Sequence, residues 1–197
     1  PELAKQAFNF DPSTVAPFSS KKFQWKCSKD HNWSATVADR SAGYGCPYCV
    51  GRKILIGFND LLTVEPQIAL EADGWDPRTV TRSSSRKLSW RCPQGHQYNS
   101  FVSDRSNGSG CPICIGRKVL AGFNDLQTTD PHVAVQAFGW DPTTVTRASN
   151  QKKKWKCLQG HVTTTLIASK TSGKSGCAIC SGHETLSGFN DLATTHP

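Results

Sequence analysis

Cysteine and histidine residues recur in three sets with almost the same internal spacing. In the first set, three residues separate Cys27 from His31, two separate Cys46 from Cys49, and 14 residues lie between the two pairs. The second set repeats this spacing, and the third has 15 residues between its pairs. The twelve residues are Cys27, His31, Cys46, Cys49, Cys92, His96, Cys111, Cys114, Cys157, His161, Cys177 and Cys180. Thiol and imidazole groups are metal ligands, so the repetition indicates three metal sites.

The spacing identifies the kind of metal site. Two close pairs separated by roughly 12–20 residues are typical of structural zinc, because a tight turn places each pair on one side of the ion. Three thiolates and one imidazole complete a tetrahedron and leave no position for water or substrate. The nine cysteines fall three to a set, so no set can pair all its own thiols in disulfides. We therefore predict three Zn²⁺ ions, one per set, and surface positions for His132, His183 and His196, which have no counterparts in the other sets.

The three sets belong to an internal repeat with a period of 65 residues. A Trp-Lys/Arg-Cys triplet opens each set, at 25–27, 90–92 and 155–157. A Gly-Phe-Asn-Asp-Leu motif follows each set, at 57–61, 122–126 and 188–192. The period predicts zinc-binding repeats at 1–65, 66–130 and 131–197, with structural units at about 10–73, 75–138 and 140–197. The phase of the repeat favours a segment of a longer array.

Each repeat has the same predicted order of elements. In the second repeat, a Pro-led helix over 66–72 precedes two strands, 88–92 and 97–103, that read as a β-hairpin. A Gly-rich loop and the second cysteine pair follow, and Asn124 or Asp125 is expected to cap the next helix. Only 37% of the residues are hydrophobic, which disfavours one large core. The fold class is therefore small α+β repeats, each a hairpin plus a short helix that zinc stabilises.

The motifs also resemble a known family. The string Trp-x-Cys-x-x-Gly-His, a Gly-x-Gly-Cys-Pro-x-Cys knuckle and Gly-Phe-Asn-Asp-Leu are similar to the "probable zinc-ribbon domain" family, whose members look like tandem treble-clef zinc fingers. The resemblance covers the chain three times and places the ligands of the family on the twelve residues above. It implies three treble-clef or zinc-ribbon-like units. Some members accompany endonuclease-like modules, which suggests DNA as a partner.

Basic residues recur at equivalent positions of the three repeats. The chain has a formal net charge of +8, which favours anionic partners. The candidate phosphate-contacting residues are Lys26, Arg91 and Lys156 at one position and Arg40, Arg105 and Lys170 at another. Cations repeated in this way predict a stripe along a nucleic-acid backbone. The alternative is that they lie on solvated strand faces or pair with a nearby acid such as Asp39 or Asp104.

Catalysis and membrane insertion are both disfavoured by the sequence. No general acid–base pair, activated nucleophile or open metal site recurs, and no apolar run approaches the roughly 18 residues of a membrane span. We therefore predict a non-catalytic array that binds nucleic acid and no small-molecule substrate. The alternative is a structural scaffold that binds other protein subunits of a larger assembly. Reduced cysteines favour an intracellular reducing compartment.

Overall fold

The computed structural model describes residues 2–196, so Pro1 and Pro197, the outer ends of the first and third predicted repeats, lie outside the described residues. The chain forms two compact units, residues 1–109 and residues 110–197. The first unit contains, in chain order, β1 (Ala7–Phe8), β2 (Lys22–Lys26), β3 (Asn32–Thr36), α1 (Val37–Ser41), α2 (Leu61–Val64), α3 (Pro66–Ala69), β4 (Lys87–Arg91), β5 (Gln97–Phe101) and α4 (Val102–Ser106). Short 3-10 helices lie at Ala4–Gln6, Pro12–Thr14 and Pro77–Thr79.

The second unit contains one hairpin and the helices on either side of it. Its elements are α5 (Leu126–Thr129), α6 (Pro131–Ala134), a 3-10 helix (Pro142–Thr144), β6 (Lys152–Lys156), β7 (Val162–Leu166), α7 (Ile167–Thr171) and α8 (Leu192–Thr195). The predicted class, small α+β repeats built on hairpins with short helices, is confirmed. Among residues 2–196, no helix combines the length and apolar character needed to cross a membrane.

A buried tryptophan lies at the centre of each of the three hairpins. Trp25, Trp90 and Trp155 are at most 2% exposed, and each indole Nε1 donates a hydrogen bond to a carbonyl of the opposite strand at 3.0–3.2 Å. Strand alternation puts the first, third and fifth residues of β2, β4 and β6 on the other face. In β6 these residues are Lys152, Lys154 and Lys156, and all three are exposed. One face of each hairpin therefore belongs to the core, and the other carries the basic residues of β2, β4 and β6, among them Lys26, Arg91 and Lys156.

The helix after each hairpin differs from the prediction. The strand expected over 97–103 ends at Phe101, because α4 begins at Val102. The first repeat shows the local reason: the Thr36 hydroxyl accepts a hydrogen bond from Asp39 N–H at 3.0 Å and caps α1. Val37, the first residue of α1, is buried against the hairpin, which anchors the helix there.

Helices α5 and α6 pack on the hairpin that follows them. One cluster unites Leu126, Val133 and Ala134 with residues after them, namely Val145, Trp155 and Ile167. The Leu126 N–H donates to Val145 O at 2.8 Å, and Ala137 pairs with Trp155 in an isolated bridge. The core of the second unit therefore includes residues from Leu126 to Ile167, and the structural units at about 10–73, 75–138 and 140–197 stay a prediction. The sequence repeats at 1–65, 66–130 and 131–197 stay a prediction.

Candidate metal centres

The first ligand pair of each set lies on a tight turn at the end of the hairpin. In the first repeat, Cys27 N–H donates to His31 O at 3.1 Å, and Asp30 N–H donates to Cys27 O at 2.9 Å. Asp30 has a φ of 63°, and Gly95 and Gly160 occupy the same left-handed region in the other repeats. Aspartate tolerates this conformation better than most residues, so the replacement of glycine preserves the turn.

The second pair lies on a turn that closes on its own backbone. Val50 N–H donates to Cys46 O at 3.2 Å, and Arg52 N–H donates to Pro47 O at 2.8 Å. The third repeat keeps this arrangement, with Ser181 N–H on Cys177 O at 3.0 Å. These hydrogen bonds curl the chain so that both thiols of the pair face the same side.

The structure brings each set of four ligand atoms together. Within each set, all ligand atoms lie within 4.8 Å of one another. In the first, Cys27 Sγ is 3.8 Å from Cys49 Sγ, and His31 Nδ1 is 3.3 Å from Cys49 Sγ. A tetrahedral zinc ion with sulfur at about 2.3 Å separates its sulfurs by about 3.8 Å. All nine cysteines are free of disulfides, so the sets fit three zinc ions, one per repeat.

The electrostatics of the sets also fit a divalent cation. Burial, together with the neighbouring Cys27 and Cys46 sulfurs, raises the pKa of Cys49 to about 11. Burial and the neighbouring thiols likewise raise the pKa of Cys180 to about 11. Several thiolates this close repel one another, and a Zn²⁺ ion offsets that repulsion and holds the thiols in the deprotonated form.

The Gly-Phe-Asn-Asp-Leu motif supports the centre that precedes it. The Phe58 ring packs edge-on against the His31 ring with centroids 4.1 Å apart. Asn59 Nδ2 donates to Tyr48 O at 2.7 Å and to Lys53 O at 2.8 Å, so it fastens the loop that carries the second cysteine pair. Phe189 and Asn190 make the same contacts in the third repeat.

The two polar residues of this motif have separate roles. Asp60 caps α2, with Oδ1 accepting from Thr63 N at 3.0 Å and Oδ2 from Gly57 N at 2.6 Å. Asp125 caps α5 in the same way. Of the two predicted caps, Asp125 is therefore the cap. Asn124 bonds the preceding loop, a role that the sequence analysis missed.

Arg40 and Arg105 lie inside the fold, where they cannot meet a phosphate backbone. Each is only 7% exposed. The Arg40 guanidinium lies 5.3 Å from both the Trp25 and Trp33 ring centroids and donates to Gln6 Oε1 at 2.6 Å. The phosphate-contacting role predicted for these two arginines does not agree with this burial.

Their hydrogen bonds give both arginines a supporting role in the fold. Arg105 forms an ion pair with Glu71 at 2.7 Å. Arg40 donates to Tyr44 O and Arg105 to Ser109 O, each two residues before a ligand cysteine. The two side chains thus join the hairpin core to the metal-binding loop.

The other predicted phosphate contacts differ in their surroundings. Lys26 pairs with exposed Asp30 at 2.9 Å, and Arg91 pairs with Asp73 at 3.3 Å. Lys156 is exposed and lies 5.9 Å from the Phe138 centroid. Lys170, which replaces the buried arginine in the third repeat, is half-buried with its Nζ 6.0 Å from the Trp155 centroid. Of these residues, Lys156 is the cation most open to an anionic partner.

A hairpin joined to a cysteine-bearing turn, with three thiols and one imidazole converging between them, defines a small zinc finger. The family described as "Probable Treble clef zinc finger domain" matches residues 3–52, 71–117 and 138–183, and the chain belongs to that family. The expected treble-clef resemblance is therefore confirmed.

One similar protein extends the comparison to a phage-derived sequence. The chain is 27% identical over 104 residues to the SPbeta prophage-derived uncharacterized protein YomD of Bacillus subtilis (strain 168). The match covers 51% of this chain and 36% of that protein. The chain thus aligns with about a third of the length of this relative.

Proposed function

We propose that this zinc-finger array binds nucleic acid, mainly through phosphate contacts made by the outer face of β6. The twelve Cys and His residues would hold three zinc ions, four ligands to each ion, and the zinc would be purely structural. The observation that carries the proposal is the row of exposed lysines Lys152, Lys154 and Lys156 on one face of a five-residue strand. The nucleic acid would be recognised chiefly by its charge, because phosphate contacts carry no sequence information.

The charge on β6 is not neutralised within its hairpin. The residues opposite these lysines are Leu166, Thr164 and Val162, and β7 carries no carboxylate. The cations equivalent to Lys156 in the other two hairpins are paired with acids, Lys26 with Asp30 and Arg91 with Asp73. Uncompensated ammonium groups on a fixed strand would attract a polyanion with little reorganisation. The third repeat therefore is the proposed centre of the interface.

An aromatic groove borders these lysines. Phe138, Trp140 and Thr164 line it together with Lys152, Lys153 and Lys154. The Lys153 ammonium lies 5.6 Å from the Trp140 centroid, and Phe138 is 42% exposed. Bases of a single strand stack on exposed aromatic rings. We therefore expect this repeat to bind single-stranded nucleic acid at least as well as duplex.

The test removes the three outer lysines and measures the salt dependence of binding. Fluorescence anisotropy of labelled single-stranded DNA, duplex DNA and RNA is recorded against the zinc-loaded chain over a salt series. Replacing Lys152, Lys154 and Lys156 by Ala should weaken binding and flatten the log–log salt slope by about two to three units.

A matched control keeps the loss of charge equal. Replacing Lys5, Lys21 and Arg78 by Ala removes three charges elsewhere, two of them already paired with Glu2 and Asp76. This control should change the slope by less than one unit. Equal effects of the two triple variants, or no effect of the β6 variant, would overturn the assignment of the interface.

A structural scaffold is the second candidate function. The burial of Arg40 and Arg105 favours it, because these two repeated cations then stabilise the fold and are not available at the surface to bind phosphates. On this alternative, the units would bind other protein subunits and the β6 lysines would be a solvated face. Salt-independent or undetectable binding to all three nucleic acids and to a polyanion control would favour it.

A further inference from the structure

The metal centres of the first and third repeats have the same ligands but different neighbours. The ligand atoms are spaced alike. The Sγ atom of Cys49 or Cys180 lies 3.8 Å from the sulfur on the hairpin turn and 3.2–3.3 Å from the imidazole Nδ1 of its own set. One neighbouring position differs in its chemistry, because Arg40 in the first repeat corresponds to Lys170 in the third.

Arg40 carries a buried positive charge that no carboxylate balances. It is 7% exposed, and no salt bridge among residues 2–196 includes it. The acceptors of its hydrogen bonds are both neutral, namely the Tyr44 carbonyl and Gln6 Oε1. The equivalent Arg105 instead has the Glu71 carboxylate at 2.7 Å. Burying an unpaired charge is costly, so Arg40 requires a negative group close by.

The zinc-loaded centre offers that negative charge. The Arg40 guanidinium lies 5.3 Å from the centroids of the Trp25 and Trp33 rings, and Cys46 packs in one buried cluster with these rings. Burial lowers the pKa of Arg40, and the charge of Cys46 opposes that shift. Three thiolates around one Zn²⁺ leave a net negative charge, which a guanidinium stabilises more strongly where water is excluded.

Lys170 does not reproduce these contacts in the third repeat. It is half-buried, with its Nζ 6.0 Å from the Trp155 centroid, and no hydrogen bond among residues 110–196 involves its ammonium group. Thr163 stands at the position of Trp33, so the second aromatic wall is missing. An ammonium group is a hydrated point charge and lacks the rigid fork with which a guanidinium holds two acceptors at once.

We propose that Arg40 raises the zinc affinity of the first centre by balancing its charge and fixing the loop of its second cysteine pair, and that the third centre, with Lys170, holds zinc more weakly. Arg40 is a positioning residue, because it acts through the ligands. Groups just outside the ligand shell change metal affinity by about 10–100-fold. The third centre should therefore lose its zinc at a free zinc concentration about 10–100 times higher than the first.

A cysteine-labelling experiment compares the two centres within one molecule. The full chain is equilibrated in buffers of decreasing free zinc, pulsed with N-ethylmaleimide and digested, and mass spectrometry gives the labelled fraction of each cysteine. Cys49 and Cys180 are both exposed, so their labelling reports the loss of zinc and not a difference in burial. Cys180 should become labelled at about 10–100 times higher free zinc than Cys49. Equal midpoints would overturn the proposal.

Two exchanges at the proposed position test its role. Arg40→Lys should raise the midpoint of Cys49 labelling by about 10-fold or more, because lysine cannot hold both acceptors. Lys170→Arg should lower the midpoint of Cys180 labelling by at least about threefold, since Gln136 supplies the glutamine that the first repeat uses. A substitution that only damaged packing would not tighten zinc binding, so this gain separates positioning from a general loss of stability.

Arg52→Lys is the matched control for Arg40→Lys. It makes the same change on the loop of the second cysteine pair, but Arg52 is exposed and lies 5.2 Å from the Tyr44 ring centroid. The midpoint of Cys49 labelling should therefore move by less than about twofold. Three zinc ions per chain at saturating zinc show that each variant folds. An unchanged midpoint in Arg40→Lys or in Lys170→Arg, or equal shifts in Arg40→Lys and the control, would overturn the proposal.

Discussion

The buried and exposed leucines of one repeated motif allow a matched test of how the units are built. Leu126 is fully buried in a core with Trp155 and Ile167, whereas Leu192 in the same motif is 76% exposed. Leu126→Ala removes buried methyl groups and leaves a cavity, which costs about 3 kcal/mol. Leu192→Ala removes a side chain that is largely exposed to water, so its cost stays within about 0.5 kcal/mol.

The measurement must report on the third hairpin, because a chain of several units has no single free energy of unfolding. Native-state hydrogen exchange of the β6 and β7 amides in the zinc-loaded protein does so. Leu126→Ala should accelerate exchange of the most protected amides by about 100-fold, and Leu192→Ala by less than about threefold. Equal acceleration by both variants, or none by Leu126→Ala, would refute the packing of α5 on this hairpin.

Two further predictions concern the caps and the ligands. Asp125→Ala should lower the stability of the third hairpin by about 2 kcal/mol, and Asp191→Ala, at a half-buried position, should have a smaller effect on α8. Burial opposes ionisation of Asp125, but hydrogen bonds from Thr128 and Gly122 lower its pKa. The pKa of Asp125 in the folded protein therefore lies below its unfolded value of about 3.9, so this carboxylate is ionised in both states near neutral pH. Hydrogen exchange should show that the stability lost in Asp125→Ala is the same from about pH 6 to 8. A loss of stability that varies over that range would contradict this prediction. His96→Ala should remove one zinc ion per chain by elemental analysis, whereas His132→Ala should remove none; equal zinc loss would contradict the ligand assignment.

The sequence was sufficient for the features that follow from spacing. The ligand sets, the 65-residue period and the hairpins each depend on local order, and the structure brings together the atoms that the spacing indicated. The order of polar residues alone could not separate Asn124 from Asp125 as the cap. Their difference arises from the position of Asn124 beside the Ile113 carbonyl, a contact between residues eleven positions apart.

The burial of the repeated arginines could not be predicted from the sequence, for a different reason. Arg40 occupies the same position as Arg105, but a repeat fixes equivalence and does not say which face of the unit a residue occupies. A signal was present in the aromatic residues that recur with it, since Trp25 and Trp33 form the two sides of the Arg40 site. A period likewise fixes the length of a unit but not where its core begins, so the core that starts near Leu126 required the structure.

The most direct test of the account is the zinc content and coordination of the reduced chain. Elemental analysis together with zinc X-ray absorption should give three zinc ions per chain, each with three sulfur and one nitrogen neighbour, as the three Cys₃His sets require. Chelation should then unfold the hairpins, because the free energy of metal binding is part of the folding free energy. Fewer than three zinc ions in fully reduced protein, or oxygen in place of sulfur around the metal, would contradict the account.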